Sequence, residues 1–312
     1  MIPTSQDQKS TLLKPGEIAA LMIVVHWGRV GPTLSLIESA RATKHFTHLH
    51  ILILSNDPEE EHHRKLCLRA TRTPNLRVIQ STANRGYFGG ARFAFDQYLA
   101  EGNDLPDWVI VCNHDILIRD EDFFARLLRE DPQAVGVIAP RILVWPSNLD
   151  QNPFMRHRPG WLRWAQLRIL SSNYQLAAIR YWLWRRKAGV RSWLAERRRE
   201  SNANTDCRQS IYAPHGSFFI FSRKYFEVGG YLDGNLFLYG EEISVAEICW
   251  RLGLPIVYEP SLCVHHNEHQ STGKAFSRRK YECEKQALRY VTSQYLAAAD
   301  KSLGPSQPDL CQ

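Results

Sequence analysis

The chain has 312 residues, a formal net charge of +7, 44% hydrophobic and 23% charged residues. This is the composition of a globular protein with a sizeable core, in one large or two modest domains, and it excludes a disordered or fibrous chain. No run of about 18 apolar residues exists to span a membrane, and the opening MIPTSQDQKSTLLKPGE lacks the apolar centre of a signal peptide.

Seven cysteines (67, 112, 207, 249, 263, 283 and 311) form no CxxC pair, and several sit in apolar runs. Reduced, buried thiols in a cytosolic compartment are the expectation. The charge is uneven. Residues 156–208 hold 13 Arg or Lys against 3 Asp or Glu, so the remaining chain is slightly acidic.

In chain order, Ala19–Val25 (AALMIVV) is an apolar run of strand length, followed by turn residues Gly28, Gly31 and Pro32 and a helical pattern over 33–44. A second strand, His50–Leu54, ends at Ser55-Asn56-Asp57-Pro58. A helix over 59–70 leads to a short strand, Leu76–Gln80. This alternation predicts βαβ units around a mostly parallel sheet. Asn84-Arg85-Gly86-Tyr87-Phe88-Gly89-Gly90 is a glycine-rich turn entering a helix over 91–100, whose N-terminus suits an anion. Its spacing fits neither a P-loop nor a dinucleotide fingerprint, and a plain loop is an equal reading.

Trp108–Val111 predicts a buried strand that breaks into Asn113-His114-Asp115. Ligands of open α/β sheets bind at such strand ends, where a carboxylate suits a hard cation. Capping of the next helix is the plainer alternative. A helix over 120–130 and a strand over 134–140 follow. Residues 154–208 differ in kind: two helices are expected, holding five of the nine tryptophans (161, 164, 182, 184, 193) interleaved with arginine. Trp and Arg with dense Leu, Ile and Ala suit a membrane surface; nucleic acid and packing on the core are the competing readings.

A strand over 218–221 follows the polar turn His215-Gly216-Ser217. Glu241-Glu242 opens a helix ending near Gly253, where the acids serve the helix dipole or supply a general base. Ile256–Tyr258 reads as a last strand, before a run with His265, His266 and His269 that matches no zinc signature. A helix over 278–299 and a loose tail after Lys301 close the chain.

Taken together, SNDP, NRGYFGGA, NHD, HGSFFIF, VGGYLDGNLFLYGEE and VHHNEHQSTG, in this order, resemble the inverting family-2 glycosyltransferases of GT-A fold, nearest the bacterial branch that builds surface polysaccharides, with its rhamnosyltransferase-like members. The resemblance covers 18–275 apart from 150–208. It implies an α/β GT-A domain with a nucleotide-sugar half (18–150), a basic Trp-rich helical insertion (151–208), an acceptor and catalytic half (209–275) and a C-terminal helix and tail (276–312).

It also implies roles. Ser55, Asn56 and Asp57 match the strand end that reads base and ribose. Asn84, Gly86 and Gly90 match the turn near the nucleotide-sugar. Asn113-His114-Asp115 matches the Asp-x-Asp motif, making Asp115 the metal ligand and Asn113 a neutral substitute for the first acid. His215, Gly216 and Ser217 match the turn beside the acceptor. Glu242 matches the base, with Glu241 orienting the acceptor, and His266 completes the metal site ahead of His265 or His269. The implied cofactor is Mg2+ or Mn2+. The implied partners are a nucleotide-diphospho-sugar and a glycan or lipid-linked glycan. The implied location is the cytoplasmic face of the inner membrane, contacted through 156–200. A nucleotide-sugar-binding protein without transfer activity is the rival reading, prompted by Asn113 and by Glu242 standing where the family has Asp; a basic nucleic-acid-binding protein ranks below it.

Overall fold

The computed structural model describes residues 18–183, 207–267 and 277–296. Trp184, Trp193, the rest of the basic run to 206, His269 and the tail after Lys301 lie outside the described residues.

Four parallel strands build the first half: β1 (Ala20–His26), β2 (Leu49–Ser55), β3 (Leu76–Gln80) and β4 (Trp108–Asn113), in the order β3-β2-β1-β4. Their connections are α1 (Val30–Arg41), α2 (Glu60–Ala70) and α3 (Tyr87–Ala100). Every residue of β1 is buried. Leu21, Ile23 and Val25 join the core under α3, while Ala20, Met22 and Val24 join the core under α1. A strand apolar on both faces is what a central parallel position requires. β1 lies between β2 and β4, so strand order reverses there and a crevice opens at the carboxyl ends of these strands.

The second half supplies β5 (Ile116–Leu117), α4 (Phe123–Leu127), β6 (Val137–Val144), β7 (Leu149–Asp150), α5 (Trp161–Leu170) and a helix over 174–183, α6. β8 (Gln209–Ile211), β9 (Phe218–Ser222), α7 (Arg223–Glu227), α8 (Glu241–Leu252), β10 (Ile256–His266) and α9 (Arg278–Val291) follow. The sheet continues β4-β9-β6-β10-β5. β9 runs antiparallel to both β4 and β6, so this half is mixed where the first is parallel.

Of the elements whose bounds depart from the sequence reading, α3 and the last strand do so for clear local reasons. Helix α3 begins at Tyr87, not Ala91. Asn84 Oδ1 accepts from Gly86 N–H at 2.9 Å, and Gly86, at φ +72°, turns the chain into the helix, so Gly89 and Gly90 lie inside its first turn. Strand β10 does not stop at Tyr258. Its register shifts between Glu259 and Cys263, around Pro260, which has no N–H for a ladder. It then runs to His266, paired with Val144 on one side and Ile116 on the other.

Helices α5 and α6 are the described part of the basic insertion. Trp164 and Ala177 are buried, and the Tyr281 hydroxyl on α9 donates to the Ser172 carbonyl at 3.0 Å. Arg158, just before α5, forms a two-pronged ion pair with the fully buried Glu247 of α8, at 2.7 and 2.8 Å. The Tyr212 hydroxyl donates to the same carboxylate at 2.7 Å. A buried carboxylate matched by a guanidinium fork and a hydroxyl has its hydrogen-bonding capacity used, which makes removal of one partner strongly destabilising.

Gly86 has a second constraint: a Cβ there would lie 2.0 Å from the Phe237 carbonyl oxygen, which accepts from Tyr87 N–H at 2.8 Å. Gly86→Ala is expected to lower stability by ~2 kcal/mol or more, combining backbone strain and a backbone clash. Gly102→Ala, also at positive φ but with open space around it, should lose only the ~1–2 kcal/mol of strain. Urea unfolding midpoints of the two variants make the comparison.

Candidate functional site

The crevice is assembled where β4 ends and β9 begins. Asn113 N–H donates to the Ser217 carbonyl at 2.9 Å, setting Asn113 beside the His215-Gly216-Ser217 turn. The turn is braced internally: the His215 imidazole Nδ1 lies 3.0 Å from Ser217 Oγ and accepts from Ser217 N–H at 3.2 Å. His215 N–H donates to Asn152 Oδ1 at 2.7 Å. Burial, with His266 adding to it, pushes the His215 pKa down to about 3, so this imidazole is neutral at physiological pH.

Gly216 explains itself at this point. A Cβ on it would lie 2.6 Å from Glu242 Oε1 and 3.2 Å from Glu241 Oε1. The absence of a side chain lets both carboxyls of α8's first turn reach the crevice. Burial drives both pKa values up, and the Glu242 charge adds to the rise at Glu241, which goes well above the ordinary value. For Glu242 the N–H groups of its own residue, Gly216 and Gly240 oppose burial by favouring the ionised form. Glu241 is buried and Glu242 only half-buried. The two neighbouring acids therefore sit in different environments: burial and the Glu242 charge press Glu241 upward, while backbone N–H groups favour the ionised form of Glu242.

On the other wall, the pairing of β10 with β5 brings His266 to Asp115 across 151 positions of chain. His266 Nε2 lies 3.3 Å from Asp115 Oδ1, and its Nδ1 meets Gln151 Oε1 at 2.8 Å. A carbonyl oxygen only accepts, so Nδ1 carries the ring proton and Nε2 presents a lone pair to a carboxylate. Asp115 Oδ1 is buried without a hydrogen bond. Two facing acceptors with no donor between them fit a bound divalent cation, and the Asp115–His266 set passes that test. The His215 and His266 rings sit 6.3 Å apart, closing this wall onto the carboxylate wall.

At the other end of the crevice, Asn56 and Asp57 follow β2. Asn56 Nδ2 donates to the Gly86 carbonyl at 2.8 Å and Asn56 Oδ1 accepts from Arg85 N–H at 3.3 Å. This side chain therefore holds the 84–86 turn. A Cβ on Gly90 would lie 2.7 Å from Leu54 Cδ2 and 3.1 Å from Asn56 Nδ2, so this glycine lets α3 sit close on β2. Asp57 Oδ2 accepts from Gly28 N–H at 2.5 Å and Oδ1 from Glu59 N–H at 2.9 Å. Burial works against the Asp57 charge, but Glu59 N–H, His62 and Gly28 N–H keep its pKa below the ordinary value. The Ser55 hydroxyl is buried without a partner.

Residues that the sequence reading passed over share the site. Tyr87, at the start of α3, donates to the Val111 carbonyl at 3.3 Å; burial first, then the charges of Glu241, Glu242 and Asp115 among others, raise its pKa well above the ordinary value. Gln151 and Asn152 orient His266 and His215. His26, at the end of β1, and His114 are buried with rings 5.7 Å apart. A histidine closing an apolar strand run was the available signal for His26; Tyr87, Gln151 and Asn152 carry none in the sequence.

No protein-family model matches the chain. The N-acetylglucosaminyl-diphospho-decaprenol L-rhamnosyltransferase of Mycobacterium tuberculosis, from strains CDC 1551 / Oshkosh and ATCC 25618 / H37Rv, is 25% identical over 211 residues, covering 65% of this chain and 62% of the relative. The chain thus spans less than two thirds of the length of these relatives. Among solved structures, GalNAc-T7 with UDP, GalNAc and Mn2+ superposes with a TM-score of 0.55 at 13% identity, over 90% of this chain and 48% of that one. The fold is the GT-A glycosyltransferase fold. The chain resembles the family-2 members of that fold, on their rhamnosyltransferase-like side.

The carboxyl pair makes a stability prediction. A glutamate whose folded pKa is raised contributes stability that is complete below its unfolded pKa, near 4.5, and lost as pH rises through the folded value. Glu241→Gln removes that loss. Its melting temperature should exceed that of the native chain at pH 8, and the gain should shrink toward pH 4; thermal melts across this range decide it.

Proposed function

We propose that the protein is a glycosyltransferase that moves a sugar from a nucleotide-diphospho-sugar to a hydroxyl of a glycan or lipid-linked glycan, with inversion. The observation that carries this reading is the half-buried Glu242 carboxylate, given room by Gly216 and set across the crevice from the Asp115–His266 pair. The M. tuberculosis relative is named for transfer of L-rhamnose to a polyprenyl-linked sugar; a deoxyhexosyl or hexosyl donor and a role in bacterial surface polysaccharide synthesis are the matching proposal here.

In this mechanism Ser55, Asn56 and Asp57 receive the base and ribose, and the 84–90 turn lines the path to the diphosphate. Asn113 sits under the donor sugar. A divalent ion, Mg2+ or Mn2+, held by Asp115 and His266 would set positive charge against the diphosphate as the sugar–oxygen bond breaks. His215, Gly216 and Ser217 form the floor on which the acceptor rests. Glu242 takes the proton from the acceptor hydroxyl as that oxygen attacks the anomeric carbon from the face opposite the leaving nucleotide, so a single displacement inverts the centre. Glu241, beside the base in the first turn of α8, orients the acceptor. A base whose pKa is raised above the ordinary carboxylate value is suited to this transfer.

The exposed face of α5 and α6 supports a lipid surface as the place of work. Trp161 is 74% exposed, Leu162 65% and Ile169 66%, next to Arg163 and Arg168. No described helix is long and apolar enough to cross a membrane, so the proposed contact is peripheral, from the cytoplasmic side. Apolar side chains between arginines favour an interfacial medium over nucleic acid.

Glu242→Gln should reduce transfer by about 10²- to 10⁴-fold while donor binding persists, because the amide keeps the shape and loses the base. Native transfer should rise with pH through a midpoint above 4.5, the ordinary glutamate value. The triple variant Trp161→Ser, Leu162→Ser, Ile169→Ser, altering only exposed positions, should lose sedimentation with anionic vesicles while its melting temperature holds. Unchanged vesicle binding would remove the membrane surface from the proposal.

A further inference from the structure

We infer that His26, Asp57 and His62 form a second metal site, one that takes a zinc-class divalent transition ion and ties α2 to the ends of β1 and β2. The inference shares Asp57 with the proposed base and ribose contacts, and its test reads metal binding alone, so its failure is separable from failure of the transferase reading.

Each of the three residues offers one ligand atom, and the three atoms lie within 4.8 Å of one another. His62 Nδ1 and Asp57 Oδ2 are 3.2 Å apart. Bonds of about 2.0–2.1 Å in a tetrahedral shell separate ligand atoms by about 3.3 Å, so this edge already has the required length. Three protein ligands of His2Asp type leave the fourth position to water, and imidazole with one carboxylate suits zinc better than magnesium or calcium.

The independent observation is His26. It is fully buried, and its Nε2 has no hydrogen-bond partner. A buried polar atom left unpaired is costly, and a fully buried histidine at a strand end is an uncommon place to accept that loss. Its other nitrogen, Nδ1, meets the buried Thr33 hydroxyl at 2.7 Å. This is the arrangement that orients ligating histidines, one nitrogen held by the protein and the other free for the ion. Asp57 Oδ1 is held by Glu59 N–H, while Oδ2 accepts from Gly28 N–H at 2.5 Å and keeps a second lone pair on the side where His62 Nδ1 lies 3.2 Å away. The residues are distinct from the Asp115–His266 pair, and they come from three consecutive elements: β1, the turn after β2, and α2.

The test uses the full chain carrying His266→Ala, which disables the other cation position, and compares it with the same chain also carrying His62→Ala. His62 is partly exposed, so its loss leaves the core intact. After stripping with chelator, Zn2+ is titrated by calorimetry and bound zinc is counted by mass spectrometry after gel filtration. The expected result is one ion with a Kd of roughly 10 µM or tighter, weakened at least tenfold by His62→Ala, and a zinc-dependent rise in melting temperature present only when His62 is present. Asp57→Asn should show the same loss. No binding in the His266→Ala chain, or equal affinity with and without His62, would overturn the assignment.

Discussion

The hydrogen bond from Asn113 N–H to the Ser217 carbonyl, 2.9 Å long, is the constraint on which the crevice rests. It exists because β9 returns antiparallel against β4, with Cys112 opposite Phe218. That one reversal puts the end of one strand and the start of another at the same level. A purely parallel sheet would carry the 215–217 turn to the opposite edge, away from Asp115. Everything catalytic in the account follows from this juxtaposition: Gly216 faces the two glutamates, and His215 faces His266.

The charged groups around the crevice are handled in contrasting ways. The buried Glu247 is matched by Arg158 and Tyr212, which uses its hydrogen-bonding capacity for structure and fastens the basic insertion to α8. Glu241, Glu242 and Asp115 have no such guanidinium partner among the described residues. Burial raises the pKa of both glutamates, and the Glu242 charge adds to the rise at Glu241. Matched charges hold the fold, while unmatched ones stay available for a cation, a proton or a substrate hydroxyl.

Most of the nucleotide half was legible in the sequence because its signals are local. Apolar runs of four to seven residues gave β1, β2 and β4, and Glu241-Glu242 marked the start of α8 by its charge alone. The meeting of His266 with Asp115 was reached only through the family resemblance, since the pairing of β10 with β5 and its register shift at Pro260 are long-range choices that no window of sequence contains. Gly86 and Gly90 read as a ligand turn; the structure adds that each also admits a close neighbour, the Phe237 carbonyl and Leu54. The roles of Gln151, Asn152 and Tyr87 depend on contacts across the sheet, and their residue types alone announce nothing.

The central claim is that this crevice holds a nucleotide-diphospho-sugar with the help of a divalent ion at Asp115. The most direct measurement is a thermal-shift screen of UDP-, dTDP- and GDP-sugars, each with and without Mn2+, on the native chain and on Asp115→Asn. The account predicts that one nucleotide class raises the melting temperature of the native chain, that Mn2+ enlarges the shift, and that Asp115→Asn abolishes the enlargement. A folded native chain that shifts with no nucleotide-sugar, with or without Mn2+, would contradict it.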